Sequence, residues 1–214
     1  VDANVADTEG RWEEAARLRQ RQLDAYDAMT HDTKMLSWRL SIQRMLIQEL
    51  TKAGKLFPAE IAARDALKRA LAAFGKDSGD TAELVVSFSS VLIAQGRFAE
   101  AAVMLDEADK VYKAIGSPRE TKIVNLVLYK QGVTLAANGQ WRAAMTKFDE
   151  VTANMGEEDE VYQARFCREV SRALAMIKVG RADEALKLLT EMTQRRTQKL
   201  GEKHQSTAQA RGLL

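Results

Sequence analysis

The chain has 214 residues, 46% hydrophobic, 29% charged and 6% aromatic, with two prolines and a formal net charge of +2. So small a charge announces neither nucleic acid nor an anionic membrane, and no apolar run approaches the roughly 18 residues that a membrane-spanning helix needs. A single cysteine, Cys167, excludes an internal disulfide framework. With no signal peptide at the start as given, the compartment stays open, the cytoplasm being favoured over a periplasmic or secreted location.

A polar lead, residues 1–8, is expected to precede a first helix from about Arg11 to Met29. The polar run Thr30-His31-Asp32-Thr33 is rich in capping residues and serves as the turn. The next helix, about Lys34 to Ala53, is strongly apolar along Met35, Leu36, Trp38, Leu40, Ile42, Met45, Leu46, Ile47 and Leu50. Pro58 suits a first helical turn and opens a helix to Phe74. Asp77 to Asp80 forms a turn, with Asp80 or Thr81 capping a helix to Gln95. Helices then follow over about Arg97 to Ile115, from Ser117-Pro118 to Asn138, and over Gln140 to Met155. The acidic run Gly156 to Glu160 belongs in the first turn of a helix reaching Val179, because carboxylates favour helix N-termini. Arg181 to Leu200 and a start at Glu202 complete about ten helices. No segment shows the alternation of a strand.

The turns repeat. Gln95-Gly96-Arg97-Phe98-Ala99-Glu100-Ala101-Ala102 is echoed by Asn138-Gly139-Gln140-Trp141-Arg142-Ala143-Ala144 and by Val179-Gly180-Arg181-Ala182-Asp183-Glu184-Ala185. Earlier copies are Glu9-Gly10-Arg11-Trp12-Glu13-Glu14-Ala15-Ala16 and the looser Ala53-Gly54-Lys55-Leu56-Phe57-Pro58-Ala59-Glu60. The glycines are spaced by 44, 42, 43 and 41 residues. A second series, Gly75, Gly116, Gly156 and Gly201, falls between them. A fixed period of about 42 residues means a repeat array. The expected fold is all-α, a right-handed α-solenoid of antiparallel helix pairs over residues 1–214. Its pairs run over 34–75, 79–116, 118–156 and 157–201, with a second helix alone in 1–33 and the start of a further repeat in 202–214.

Glycine, an aromatic residue two positions on, then alanine and a large apolar residue at fixed offsets resemble the tetratricopeptide repeat. Lys130-Gln131-Gly132-Val133-Thr134-Leu135 matches that repeat's first helix, with Gly132 at its close helix contact. The long period and Leu200-Gly201-Glu202-Lys203-His204 resemble the kinesin-light-chain-like subclass. Departures are the irregular turn around Phe57-Pro58 and Ala182 where an aromatic is expected. Neither end carries the polar outer face of a capping repeat, so the chain reads as a piece of a larger protein.

No catalytic constellation is legible. His31 and His204 are separated by several repeats, and Cys167 is too far from either, which argues against a zinc site or a Cys/His nucleophile pair. The glycines come singly, one per turn, and form no phosphate-cradling loop. No cofactor and no metal are therefore expected. Trp12, Phe98, Trp141 and Phe148 fall in packing columns, and Met35, Met45, Met104 and Met176 read as core filler.

The resemblance implies a concave surface lined by the first helix of each pair. Its exposed columns fall on Ser41, Arg44, Gln48, Thr51 and Lys52; on Glu83, Val86, Ser90, Ile93 and Ala94; on Leu126, Tyr129, Val133, Ala136 and Ala137; and on Cys167, Val170, Leu174, Ile177 and Lys178. Such a groove takes a peptide or helix of a partner protein, with Tyr129 as anchor and Arg44 and Lys52 orienting an acidic end. Groove lining and core stand as equal readings for Val133, Val170 and Leu174. The implied function is a protein–protein interaction scaffold. A second reading is the regulatory or substrate-recruiting arm of a larger enzyme or signalling protein. A third is nucleic-acid binding, from nine Lys/Arg against four acids between Arg165 and Lys199; those cations are spread over several faces, and aromatic stacking residues are scarce there.

Overall fold

The computed structural model describes residues 2–29, 35–118, 121–155, 170–202, 207–208 and 211–212. Among the described residues there are ten helices and no strand. These are α1 (Ala3–Thr8), α2 (Trp12–Met29), α3 (Leu36–Lys52), α4 (Leu56–Phe74), α5 (Gly79–Ala94), α6 (Phe98–Ala114), α7 (Lys122–Ala137), α8 (Trp141–Met155), α9 (Val170–Lys178) and α10 (Ala182–Leu200). They fall into two compact units, Val1–Gly116 and Ser117–Leu214. In the first, each helix from α1 to α6 packs on the next, and α3 also meets α5. In the second, α9 packs on α7, α8 and α10, and α7 packs on α8.

The repeated turn has a physical cause. Gly96 sits at φ +75°. Its N–H donates to the Ile93 carbonyl at 3.0 Å, and the Arg97 N–H donates back to Leu92 at 2.8 Å. This double bond satisfies the last carbonyls of the helix and reverses the chain; a side chain there would cost roughly 1–2 kcal/mol. The same pair of bonds recurs at Gly10, Gly54, Gly139 and Gly180. At Gly10 it closes α1, so residues 1–8, expected as a polar lead, instead contain a capped helix packed on α2. The turns between pairs use another device. The Thr81 hydroxyl donates to the Gly75 carbonyl at 2.7 Å, and Thr207 does the same to Gly201 at 3.0 Å.

Helix starts differ from expectation in two places. Ser78, not Asp80 or Thr81, caps α5, its hydroxyl accepting from the Thr81 N–H at 3.1 Å. Helix α7 begins at Lys122 rather than at Ser117-Pro118. The acidic run 156–160, His31, Cys167 and His204 lie outside the described residues.

The core follows the alanines. Ala59, Ala63, Ala66 and Ala70 form one face of α4, each no more than 1% exposed, and pack against Leu40, Ile47, Leu84, Phe88 and Leu92 of α3 and α5. Methyl-sized side chains let helix axes approach closely while still excluding water. In the second unit the close approach is at Gly132, where a Cβ would lie 2.6 Å from Phe148 Cε1. Phe148 and Met176 are core residues, whereas Trp12, Phe98, Trp141, Met45 and Met104 are half-buried. Met35 is 46% exposed at the start of α3 and fills no core.

A repeated ion pair reinforces the turns. The residue after the repeat glycine reaches back to an acid on the preceding second helix: Lys55 to Glu13 at 2.9 Å, Arg97 to Glu60 at 3.0 Å, and Arg181 to Asp149 at 3.2 Å. Arg11, Arg97 and Arg181 also bond the acid three residues on, Glu14, Glu100 and Glu184.

Candidate functional site

In the first unit the exposed stripe of α3 runs through Ser41, Arg44, Gln48, Thr51 and Lys52, as the spacing of an inner helix face requires. On α5, Asp80 and Ala94 are exposed, and Gly79, Glu83, Val85, Ser87, Ser90 and Ile93 are half-exposed. Val86 is 1% exposed and leaves the set. Helix α5 packs on α3, α4 and α6 at once, which buries Val86 while Glu83, Ser90 and Ala94 of the expected set stay open. Ile93 is partly buried against the core cluster.

The polar groups of this face are largely engaged within the chain. Arg44 pairs with Glu83 across α3 and α5 at 2.7 Å, and Lys52 pairs with Asp7 of α1 at 2.6 Å. The Ser90 hydroxyl donates to the Val86 carbonyl at 3.0 Å, and Thr51 donates to Ile47 at 2.6 Å. The two cations expected to orient an acidic ligand therefore already hold internal carboxylates. Exposed pairs of this kind contribute about 0.2–1 kcal/mol, so a better-placed anion can displace either one.

Behind this face, α2 and α3 are joined by buried polar groups that the sequence reading missed. Arg19 donates to Glu49 at 3.1 Å, with both side chains almost wholly buried, and also to Asn4 of α1. Burial pushes the Glu49 carboxyl up, and the Arg19 hydrogen bond opposes that shift. Arg39 grips Asp27 through two bonds of 2.7 Å. It also donates to Gln43, which donates in turn to the Ala62 carbonyl and to Asp65.

The second unit offers a different surface. Leu126, Tyr129 and Val133 lie half-exposed along α7, with Ala137 exposed, while Ala136 is buried and belongs to the core. On α9, Val170 and Leu174 are half-exposed, and Ile177 and Lys178 are exposed. The Tyr129 ring leans on Phe148, with centroids 5.5 Å apart. Tyr129 and Val133 both pack partly on the cluster around Phe148 and Met176, and Val170 packs on the one around Leu189 and Met192. Val133 and Val170 each rest one side on the core and leave the other open. Lys178 lies over the Trp141 ring at 6.0 Å.

The basic excess toward the C-terminus is partly consumed inside this unit, since Arg172 and Arg181 both face Asp149. Among the described residues no three His, Cys, Asp or Glu come together as metal ligands, and no helix is long and apolar enough to cross a membrane.

No family model and no curated protein matches the chain. Solved structures do. A protein described as a kinesin light chain with nearly identical TPR-like repeats, from Podosopora anserina, aligns over 92% of each chain at 16% identity with a TM-score of 0.62. A single-substitution variant of it aligns over 84% of each chain at 18% identity and 0.59. BtubC (BKLC) from P. vanneervenii aligns over 93% of this chain and 78% of its own at 16% identity and 0.66. The fold is a tetratricopeptide-type helical solenoid, the fold of these neighbours. In a tetratricopeptide-type frame the first helices of the pairs are α3, α5, α7 and α9, and the second helices are α2, α4, α6, α8 and α10.

Proposed function

We propose that the chain is a protein–protein recognition module, not a catalyst, and that it takes a peptide or helix of a partner on the exposed stripe of its first helices. The observation that carries this reading is the apolar strip on α7 and α9, where Leu126, Tyr129, Val133, Leu174 and Ile177 face outward on two helices that touch. Contiguous exposed apolar surface on a soluble protein marks interaction sites, and an aromatic ring already held by the core loses little freedom on binding. On the first unit, taken by itself, Arg44, Gln48, Lys52 and Ser90 offer exchangeable polar contacts and Ile93 a minor apolar one. Val170 and Lys178 flank the apolar strip.

The test is affinity capture from cells of the source, followed by titration of the captured protein against the wild type and two variants. Tyr129→Ala and Ile177→Asp should each weaken it by more than about 1 kcal/mol. Ile177 is 41% exposed, so its substitution leaves the helices intact by circular dichroism. Unchanged affinity in Ile177→Asp sinks the assignment of this strip.

A further inference from the structure

A second surface lies on the far side of α3. Helices α2 and α4 leave between them a groove of about 730 Å³ floored by α3. Its floor residues Arg39, Gln43, Leu46 and Leu50 are offset by two positions, about 200° around the helix, from the stripe of Ser41, Arg44 and Gln48. It is therefore distinct from the surface proposed above.

The walls are apolar because the copy of the turn at Gly54 is out of step. In the other copies the aromatic or apolar residue stands two positions after the glycine, half-buried at Trp12, Phe98 and Trp141, and the next residue is Glu13, Ala99 or Arg142. After Gly54 the half-buried place goes to Leu56, and the aromatic falls one residue later. Phe57 is therefore 73% exposed. One turn on, Ile61 is 54% exposed, where α2 carries Arg17, α8 Thr146 and α10 Lys187, and where only α6 is also apolar, with Val103 65% exposed. Phe57, Pro58 and Ile61 face Ala16 and Leu23 across the groove.

The charges around these walls are already matched, with one exception. Lys55 holds Glu13 at 2.9 Å, Arg39 holds Asp27, and Asp65 accepts from Arg69 at 2.9 Å and from Gln43 at 3.0 Å. Arg17 has no ion-pair partner among the described residues. Along α2 the lining runs from Glu13 to Asp27, about 21 Å at 1.5 Å per residue. An extended peptide laid here would press unpaired backbone N–H and C=O groups onto apolar walls, with no sheet edge among the described residues to pair them. A helix bonds its own backbone and needs only an apolar stripe.

We propose that this groove receives an amphipathic helix of a partner protein, about four turns long. Its apolar side chains would sit at i, i+3 or i+4, and i+7, against Phe57, Ile61, Leu23 and Leu46, with one carboxylate beside Arg17.

The experiment is selection of displayed random 16-residue peptides on the immobilised full chain. Counter-selection uses a Phe57→Ser/Ile61→Lys variant whose far-UV circular dichroism and urea midpoint match the wild type. Retained clones should share helical apolar spacing and an acidic residue. They should bind the variant at least tenfold more weakly, and Arg17→Glu about fivefold more weakly with a loss that shrinks in high salt. Ile177→Asp should bind them unchanged, which separates this site from the strip on α7 and α9. The idea is overturned if no clones are enriched, if they bind the variant equally, or if they lack helical spacing. Dodecanoate is tested in parallel. Saturable binding of it that depends on Phe57 and Ile61, without helical clones, would assign the groove to a small amphiphile instead.

Discussion

Gly132→Ala tests the helix contact on which the apolar strip rests. The new Cβ would meet Phe148 at 2.6, 2.9 and 3.0 Å, against an optimum of about 3.5–4.0 Å between carbons. The ring must therefore retreat by about 1 Å. It is 1% exposed and has Tyr129 beside it, so the retreat pushes on packed neighbours, and overpacking of this kind costs about 1–3 kcal/mol. Alanine in place of glycine inside a helix returns about 1 kcal/mol. The net expectation is a loss of up to about 2 kcal/mol, and the sign is what matters. Urea titration followed by circular dichroism should show a lower midpoint at unchanged slope. In a Phe148→Leu background the same change should cost less or stabilise, with a coupling of at least about 1 kcal/mol. If Gly132→Ala raises the midpoint of the otherwise native chain, the ring has room and the contact is not what sets the α7–α8 distance. The strip would then lose its rigid backing.

Two further outcomes follow from the first unit. Glu49→Ala strands the buried Arg19 guanidinium and should cost about 3–5 kcal/mol, whereas Arg19→Met with Glu49→Leu should cost far less; equal losses in the urea midpoint would contradict that account. Hydrogen bonds from Gln95, Arg64 and Arg97 hold the Glu60 carboxyl down at about 2. Its contribution is therefore complete above the unfolded value of about 4.3 and lost as pH falls from about 5 toward 2. Thermal midpoints of the wild type and Glu60→Gln should differ at pH 7 and converge near pH 2, and a pH-independent gap would refute the linkage.

The fold was legible because its punctuation is steric. A glycine that must reach positive φ cannot be disguised, and a period of about 42 residues follows from counting such glycines. Gly132 was legible for a related reason: glycine within a helical pattern signals a close approach, and Phe148 supplies it. Helix starts were less so. Ser78, Asp80 and Thr81 are all good capping residues, and which one caps depends on where Gly75 releases the chain. The stripe on α5 was misread at Val86, since exposure there depends on three packed neighbours rather than on periodicity within α5. Arg19–Glu49 and Arg39–Asp27 gave no signal of their own: in a sequence, a buried charge paired across helices looks like a solvated one. Lys52–Asp7 was hidden because residues 1–8 were not read as a helix.

Charge placement favours apolar surface over charged surface as the place for the recognition proposed above. The repeat puts a basic residue directly after its glycine at Lys55, Arg97 and Arg181, and each finds an acid on the second helix of the preceding pair, α2, α4 or α8. Arg44 and Lys52 find theirs on α5 and α1. Cations fixed in this way add little long-range field, and their release for a ligand would return only part of what the ligand supplies. What stands open is apolar area: Leu174 and Ile177 on α9, one side of Tyr129 on α7, whose ring rests on Phe148, and Phe57 and Ile61 on α4. Phe57 is the sharper case. Leu56 fills the place that an aromatic takes in three other copies, so the fold does not need Phe57 where it stands. A large apolar side chain that is 73% exposed and unnecessary to the repeat is better accounted for by what it meets than by what it supports.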